Sequence, residues 1–350
     1  MTTSGTHTLQ EIQAQPDAWA AVLKAAREQA QAWQAFFAQE QGDTILFFGC
    51  GSTHYLSMTA ASVLQALTGR TARAVPSAEL FLFPETWVPA SNRVKGIALS
   101  RSGTTTETLR AADFLAEEYG VAIAAVTCYE NTPLEERSSF TLISPEGYEE
   151  SIAQTRSFSS MLVGCIALAA VAADRSDYLE KLAFLPSVGG RLMQACESVV
   201  RSLGQDSGIG QVFFLGSGPR YGLACEAMLK LKEMSLTTSE AYHFLEFRHG
   251  PKSMVDEGTL VVGLLSEAAR QAEVAVLREM KELGGRILVL TEAEDGLEWA
   301  DHVVCFQSDL PEVTRLPLYL PALQLLAYYR AVGKGLDPDA PRHLDAVVQL

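Results

Sequence analysis

The stretch Ile97-Ala98-Leu99-Ser100-Arg101-Ser102-Gly103-Thr104-Thr105-Thr106-Glu107 holds three signals in succession. Gly96 to Leu99 is apolar throughout, which reads as a short strand buried on both faces, the kind found in parallel sheets. A hydroxyl-rich turn around Gly103 follows. A helix then opens near Glu107.

Upstream, Thr44 to Phe48 is a similar apolar run that ends in Gly49-Cys50-Gly51-Ser52, and a helical stretch runs from His54 to about Thr68. Thr71 to Val75 and Val121 to Thr127 are further strand-like runs, and residues 8–40 predict helix, with Leu23, Trp33 and Phe36 among the apolar positions. Strands alternating with helices predict βαβ units and a parallel sheet. The second half repeats the order. Val212 to Leu215 leads into Gly216-Ser217-Gly218, Leu260 to Leu264 ends near Ser266, and Gly284 to Thr291 echoes Tyr119 to Thr127. Between the copies, 167 residues separate Gly49 from Gly216, 166 separate Ser100 from Ser266 and 164 separate Thr127 from Thr291. A near-constant offset predicts a duplicated α/β domain. Ser187-Val188-Gly189-Gly190 reads as a loop that leads into a bridging helix ending near Leu203.

With 350 residues, 48% hydrophobic and 20% charged, the chain suits two globular domains. A net charge of −15 without a basic stripe argues against nucleic acid and against an anionic membrane surface. The longest apolar stretch, Met161 to Ala173, is shorter than a membrane span and predicts a core helix. Cys50, Cys128, Cys165, Cys196, Cys225 and Cys305 form no C-x-x-C pair, so reduced thiols in a cytoplasmic protein are expected, with no metal and no cofactor. The N-terminus shows no signal-peptide pattern.

Two loops of the first half carry the chemistry. Gly51-Ser52-Thr53 and Ser100-Arg101-Ser102-Gly103-Thr104-Thr105 each sit where a strand hands over to a helix. A helix N-terminus presents unpaired N–H groups, Gly lets the backbone approach a ligand, hydroxyls supply donors, and Arg101 adds a positive charge. Plain N-capping accounts for one Ser or Thr. The five hydroxyls of Ser100, Ser102, Thr104, Thr105 and Thr106 around Gly103 exceed a cap and point to phosphate. The second half differs: its counterpart, Ser266-Glu267-Ala268-Ala269-Arg270, carries a carboxylate where phosphate would need a donor. Gly49-Cys50-Gly51 and Gly216-Ser217-Gly218 lack the third glycine of a dinucleotide fingerprint, and no P-loop pattern occurs.

In the second half, Glu226, Lys230 and Glu233 share one helical face. Glu240-Ala241-Tyr242-His243-Phe244-Leu245-Glu246-Phe247-Arg248-His249-Gly250-Pro251 sets two His, two Glu and an Arg in an aromatic run. With the loops, these stretches and Pro341-Arg342-His343-Leu344, residues 40–350 resemble the tandem sugar-isomerase-domain (SIS) family, in particular the isomerase half of glucosamine-6-phosphate synthases.

The resemblance implies two tandem SIS domains at residues 41–175 and 207–340. An N-terminal helical segment (1–40), a bridging helix (176–206) and a tail (341–350) near the active site complete the chain. It implies that Gly51, Ser52, Thr53, Ser100, Arg101, Ser102, Gly103, Thr104, Thr105 and Tyr129 bind a hexose or hexosamine 6-phosphate. It further implies that Glu233 moves a proton between the first two sugar carbons, that Lys230 lies near the sugar, and that His249 opens the ring from the partner subunit of a homodimer. Three departures stand out. Residues 1–40 carry no glutaminase pattern, so ammonia from glutamine is not expected. Ala346 occupies the position of the family's imine-forming lysine. Arg101 replaces a Gln. The resulting expectation is an amino-sugar-phosphate deaminase or isomerase, with an amine-releasing deglycase or a non-catalytic sugar-phosphate sensor as alternatives.

Overall fold

A computed structural model describes residues 5–38, 44–89 and 93–345. Ten strands form two five-stranded sheets. β1 (Thr44–Gly49), β2 (Ala72–Pro76), β3 (Val94–Ser100), β4 (Ile123–Thr127) and β5 (Phe140–Ile143) make the first. β6 (Gln211–Gly216), β7 (Thr238–Tyr242), β8 (Thr259–Leu264), β9 (Arg286–Thr291) and β10 (His302–Cys305) make the second. The orders are β2-β1-β3-β4-β5 and β7-β6-β8-β9-β10, the same topology twice. Every pairing is parallel, from Phe48 against Ala98 in the first sheet to Leu215 against Gly263 in the second. The duplication and the α/β class read from the strand-end spacing are therefore present in the fold.

The chain folds as two units, each built on one sheet. The β1–β5 unit holds the described residues of 14–149 and 156–186 with Asp345; the β6–β10 unit holds 5–13, 150–155 and 187–344. The N-terminal helices are thus divided. Thr6–Gln13 joins the second unit, where Asp339 accepts hydrogen bonds from Thr8 N and Oγ1, both at 2.7 Å. Glu11 accepts from Glu150 N (2.6 Å) and Ser151 N (3.2 Å). Gln15–Glu28 and Ala30–Ala38 join the first unit.

Sequence explains where each core sits. Residues 45–48 and 94–100 are buried without interruption, as strands covered on both faces must be. Helix Arg156–Ala172 is buried from Ser157 to Val171, so the apolar stretch read at Met161–Ala173 is a core helix. Indole N–H groups tie neighbouring helices to it: Trp19 Nε1 donates to Ser159 Oγ (2.9 Å) and Trp33 Nε1 to the Leu168 carbonyl (2.7 Å). Leu46, Phe48, Ala98 and Leu115 lie in one core cluster; Phe213, Leu215, Val261 and Leu277 lie in its counterpart.

Three features depart from the sequence reading. Strands β5, β7 and β10 are edge strands with mixed burial, which an all-apolar search passes over. β4 starts at Ile123, two residues inside the run read from Val121. Ser187–Gly190 is not a loop: helix Leu185–Gln205 runs through it, because Val188, Leu192, Cys196, Val200 and Leu203 recur at helical spacing and are buried. Among the described residues no helix is long and apolar enough to cross a membrane. All six cysteines are unpaired thiols, four of them buried.

Candidate phosphosugar site

In the β1–β5 unit the chain leaves β1 towards β2 and leaves β3 towards β4. The carboxyl ends of these adjacent strands therefore flank a crevice, the place where open parallel sheets bind ligands. Both hydroxyl loops lie there. Gly49 is required by packing, since a Cβ would meet Thr53 Oγ1 at 2.5 Å. Gly51 has φ +55° and ψ −123°, a conformation open to glycine. Thr53 closes the first turn: its Oγ1 accepts from Cys50 N and donates to the Cys50 carbonyl, both at 2.9 Å. Ser52 is 5% exposed, and its hydroxyl has no hydrogen-bond partner among the described residues.

The second loop is shaped by its own hydroxyls. Ser100 Oγ accepts from Gly103 N (3.1 Å) and lies 3.3 Å from Thr105 Oγ1. Ser102 Oγ accepts from both Thr104 N (3.2 Å) and Thr104 Oγ1 (2.9 Å). A hydroxyl that accepts twice keeps its proton for another acceptor. Gly103 has φ +64°, and a Cβ there would meet Thr132 Oγ1 at 2.4 Å. Helices Ser52–Thr68 and Thr106–Tyr119 both start without a side-chain cap. The hydroxyls therefore build the loops and do not cap the helices. Ser52 and Ser102 each hold a donor at the strand ends where positive helix dipoles point.

Arg101 does not stand open to the crevice. It is 5% exposed, and its guanidinium lies 3.4 Å from Glu149, whose side chain is fully enclosed and also receives the Ser157 hydroxyl. The Arg101 carbonyl accepts from Thr127 Oγ1 and Cys128 N, both at 3.1 Å, so the β4 end supports the β3 loop. Tyr129 follows, its ring 5.2 Å from that of Tyr148; burial pushes its phenol up, opposed by Arg101.

The β6–β10 unit positions the other predicted residues. Helix Arg220–Ser235 carries Lys230, 1% exposed, between Glu226 at 3.4 Å and Glu233 in a close ion pair. Glu226 is enclosed, whereas the Glu233 side chain keeps 18% of its surface exposed. His249 is exposed at the tip of a turn where Gly250 has φ +124° and Pro251 starts a 3₁₀ segment. Glu279 holds both flanks of that turn, receiving Arg248 Nε at 2.8 Å and Lys252 Nζ at 2.6 Å. His243 stacks on Tyr221 at 3.8 Å, and burial pushes its imidazole down. Ala346 lies outside the described residues.

Sequence reading missed Glu149 and Glu279, the carboxylates that hold Arg101 and the His249 turn. Each lies far along the chain from its partner, and nothing local marks it.

The SIS domain family model matches residues 39–172 and 207–327. Glutamine–fructose-6-phosphate aminotransferase (isomerizing) of Bartonella henselae is 29% identical over 318 residues, 86% of this chain and 51% of the relative. The corresponding protein of Pyrobaculum aerophilum is 28% identical over 97% of this chain and 57% of its own length. The chain thus spans about half the length of the curated relatives it matches. Among solved structures, glucosamine-6-phosphate deaminase of Thermotoga maritima shares 30% identity with a TM-score of 0.77, covering 94% of this chain and 100% of that one. Tagatose-6-phosphate ketose/aldose isomerase of Escherichia coli, at 24% identity, shares the fold with a TM-score of 0.86, covering 96% and 95%.

Proposed function

The chain belongs to the SIS domain family, and from that membership we propose that it is an enzyme that acts on a hexosamine 6-phosphate, releasing or rearranging the amine by proton transfer at C1 and C2. One observation carries the reading. Glu233 is a mostly buried carboxylate that keeps one side open to solvent, and its neighbour Lys230 is enclosed, so one helix presents a base backed by a fixed cation. A base of that kind suits abstraction of a proton next to a carbonyl, and a nearby cation offsets the negative charge that develops. The likeness to a glucosamine-6-phosphate deaminase that this chain covers from end to end supports the amine-releasing direction.

In this reading the Ser52 and Ser102 hydroxyls and the helix N-termini behind them take the phosphate. Arg101, paired with Glu149, holds the loop and does not grip the phosphate. His249, exposed on a clamped turn, serves ring opening in a partner subunit of a homodimer, and the protein works in the cytoplasm.

The test is direct. Purified chain is incubated with glucosamine 6-phosphate and its epimers, and ammonia is measured alongside a Glu233→Gln control. Ammonia released by the parent protein and not by the variant supports the reading. A folded parent that binds these sugars in a thermal-shift screen yet releases no ammonia and forms no isomer overturns it.

A further inference from the structure

We infer that the carboxyl ends of β6 and β8 form a second anion site, able to take an inorganic phosphate, and that the carboxylate of Glu312 occupies it. The inference concerns the β6–β10 unit alone and stands whether or not the chain turns over a hexosamine phosphate.

The argument starts from equivalent positions in the two sheets. Ser266 Oγ accepts from Ala269 N at 3.0 Å, as Ser100 Oγ accepts from Gly103 N. A Cβ on Gly216 would meet the Arg220 carbonyl at 2.5 Å, as one on Gly49 would meet Thr53. The two switch points are thus built alike, and Arg220 stands where the first has Thr53. Its guanidinium is 2% exposed, far beyond what a surface arginine needs.

The donors at this second switch point converge on Glu312. Its Oε1 receives Arg220 Nη2 at 2.6 Å and the Glu267 amide at 2.9 Å. Arg220 Nε is fixed by Tyr319, whose hydroxyl donates to the Leu265 carbonyl at 2.5 Å. A buried guanidinium beside a strand-end amide is an anion site by its chemistry. Here the anion comes from the segment 310–319. That segment is itself tied down by Arg315, which donates to the Leu310 carbonyl at 2.8 Å and pairs with Glu267 at 2.6 Å. Glu273 lines the same place, with one oxygen receiving Ser266 N and Oγ and the other without a hydrogen-bond partner. The Glu312 side chain keeps 28% of its surface exposed, so its removal opens the site without excavating the core.

The probe is inorganic phosphate, titrated calorimetrically against the full chain. Glu312→Ala binds one more phosphate per chain than the parent protein, and Glu312→Ala combined with Arg220→Met, which removes the guanidinium, does not. Glu312→Ala with circular dichroism unchanged and no added phosphate equivalent overturns the inference, as does an added equivalent that the double variant, folded by the same criterion, gains as well. Catalytic turnover is not part of the readout, so failure here leaves the proposed reaction untouched.

Discussion

Lys230 and Glu233 form an ion pair one helical turn apart, with the ammonium enclosed and the carboxylate open on one side. The asymmetry separates two effects of mutation. Lys230→Met leaves the enclosed Glu226 without its ammonium, and breaking a buried pair costs about 3–5 kcal/mol. Glu233→Gln keeps volume and a hydrogen-bonding group at a partly solvated position, so its urea midpoint stays close to the parent's. Its turnover falls by about 10²–10⁴, the usual weight of a general base. A Glu233→Gln protein that unfolds as readily as Lys230→Met would refute this division.

Arg101 and Glu149 offer a second separation, between holding a loop and holding a ligand. Their ion pair is enclosed on both sides. Arg101→Gln leaves the enclosed Glu149 carboxylate without the guanidinium charge and costs about 3–5 kcal/mol. Arg101→Gln with Glu149→Gln removes both charges and recovers most of that loss. If the double variant regains stability and still binds a hexose 6-phosphate within a few-fold of the parent, Arg101 shapes the loop. A complete loss of binding in the stable double variant would make Arg101 a phosphate ligand.

The interior strands were legible because they need no knowledge of partners. β1, β3, β4, β6, β8 and β9 sit inside their sheets and read as apolar runs. Of the four edge strands, β2 is marked by the run Thr71 to Val75, whereas β5, β7 and β10 are short or interrupted by polar residues and no apolar run marks them. In β7, Glu240 and Tyr242 belong to the polar and aromatic run of residues 240–251 and stand on an edge strand. The loop glycines were legible as well, since Gly51 and Gly103 stand in left-handed backbone. Which hydroxyl shapes a loop and which stays available was not legible. Thr53 and Ser52 are neighbours of similar chemistry, yet only the first closes the turn.

That difference gives a third prediction. Ser52→Ala and Ser102→Ala each remove a donor that no residue of the loop receives. A hydrogen bond to a charged group contributes about 1.5–3 kcal/mol, so each variant weakens binding of a hexose 6-phosphate by roughly one to two orders of magnitude and leaves the melting temperature unchanged. Gly103→Ala behaves differently. Left-handed backbone alone costs a non-glycine residue about 1–2 kcal/mol, and the contact with Thr132 adds to it. Calorimetry and thermal melts, run on all three, distinguish the classes; a Ser102→Ala protein with parental affinity removes Ser102 from the site.

Glu279 ties the His249 turn from both sides, and its pH dependence follows from that. Its hydrogen bond with Lys252 and the nearby Arg248 guanidinium hold its carboxyl below the ordinary value of 4.5. The folded state therefore binds this proton less readily than the unfolded state. Stability from the clamp is complete above about pH 4.5, where the unfolded carboxyl has also ionised, and is lost as pH falls through the depressed folded value. At pH 7, Glu279→Gln lowers the urea midpoint relative to the parent protein. As the parent's own Glu279 takes up its proton in acid, the gap between the two midpoints closes. The same substitution loosens the segment from Arg248 to Met254, which quickens its proteolysis at neutral pH. A gap that stays constant from pH 7 down to the acid limit would show that Glu279 acts through packing and not through its charge.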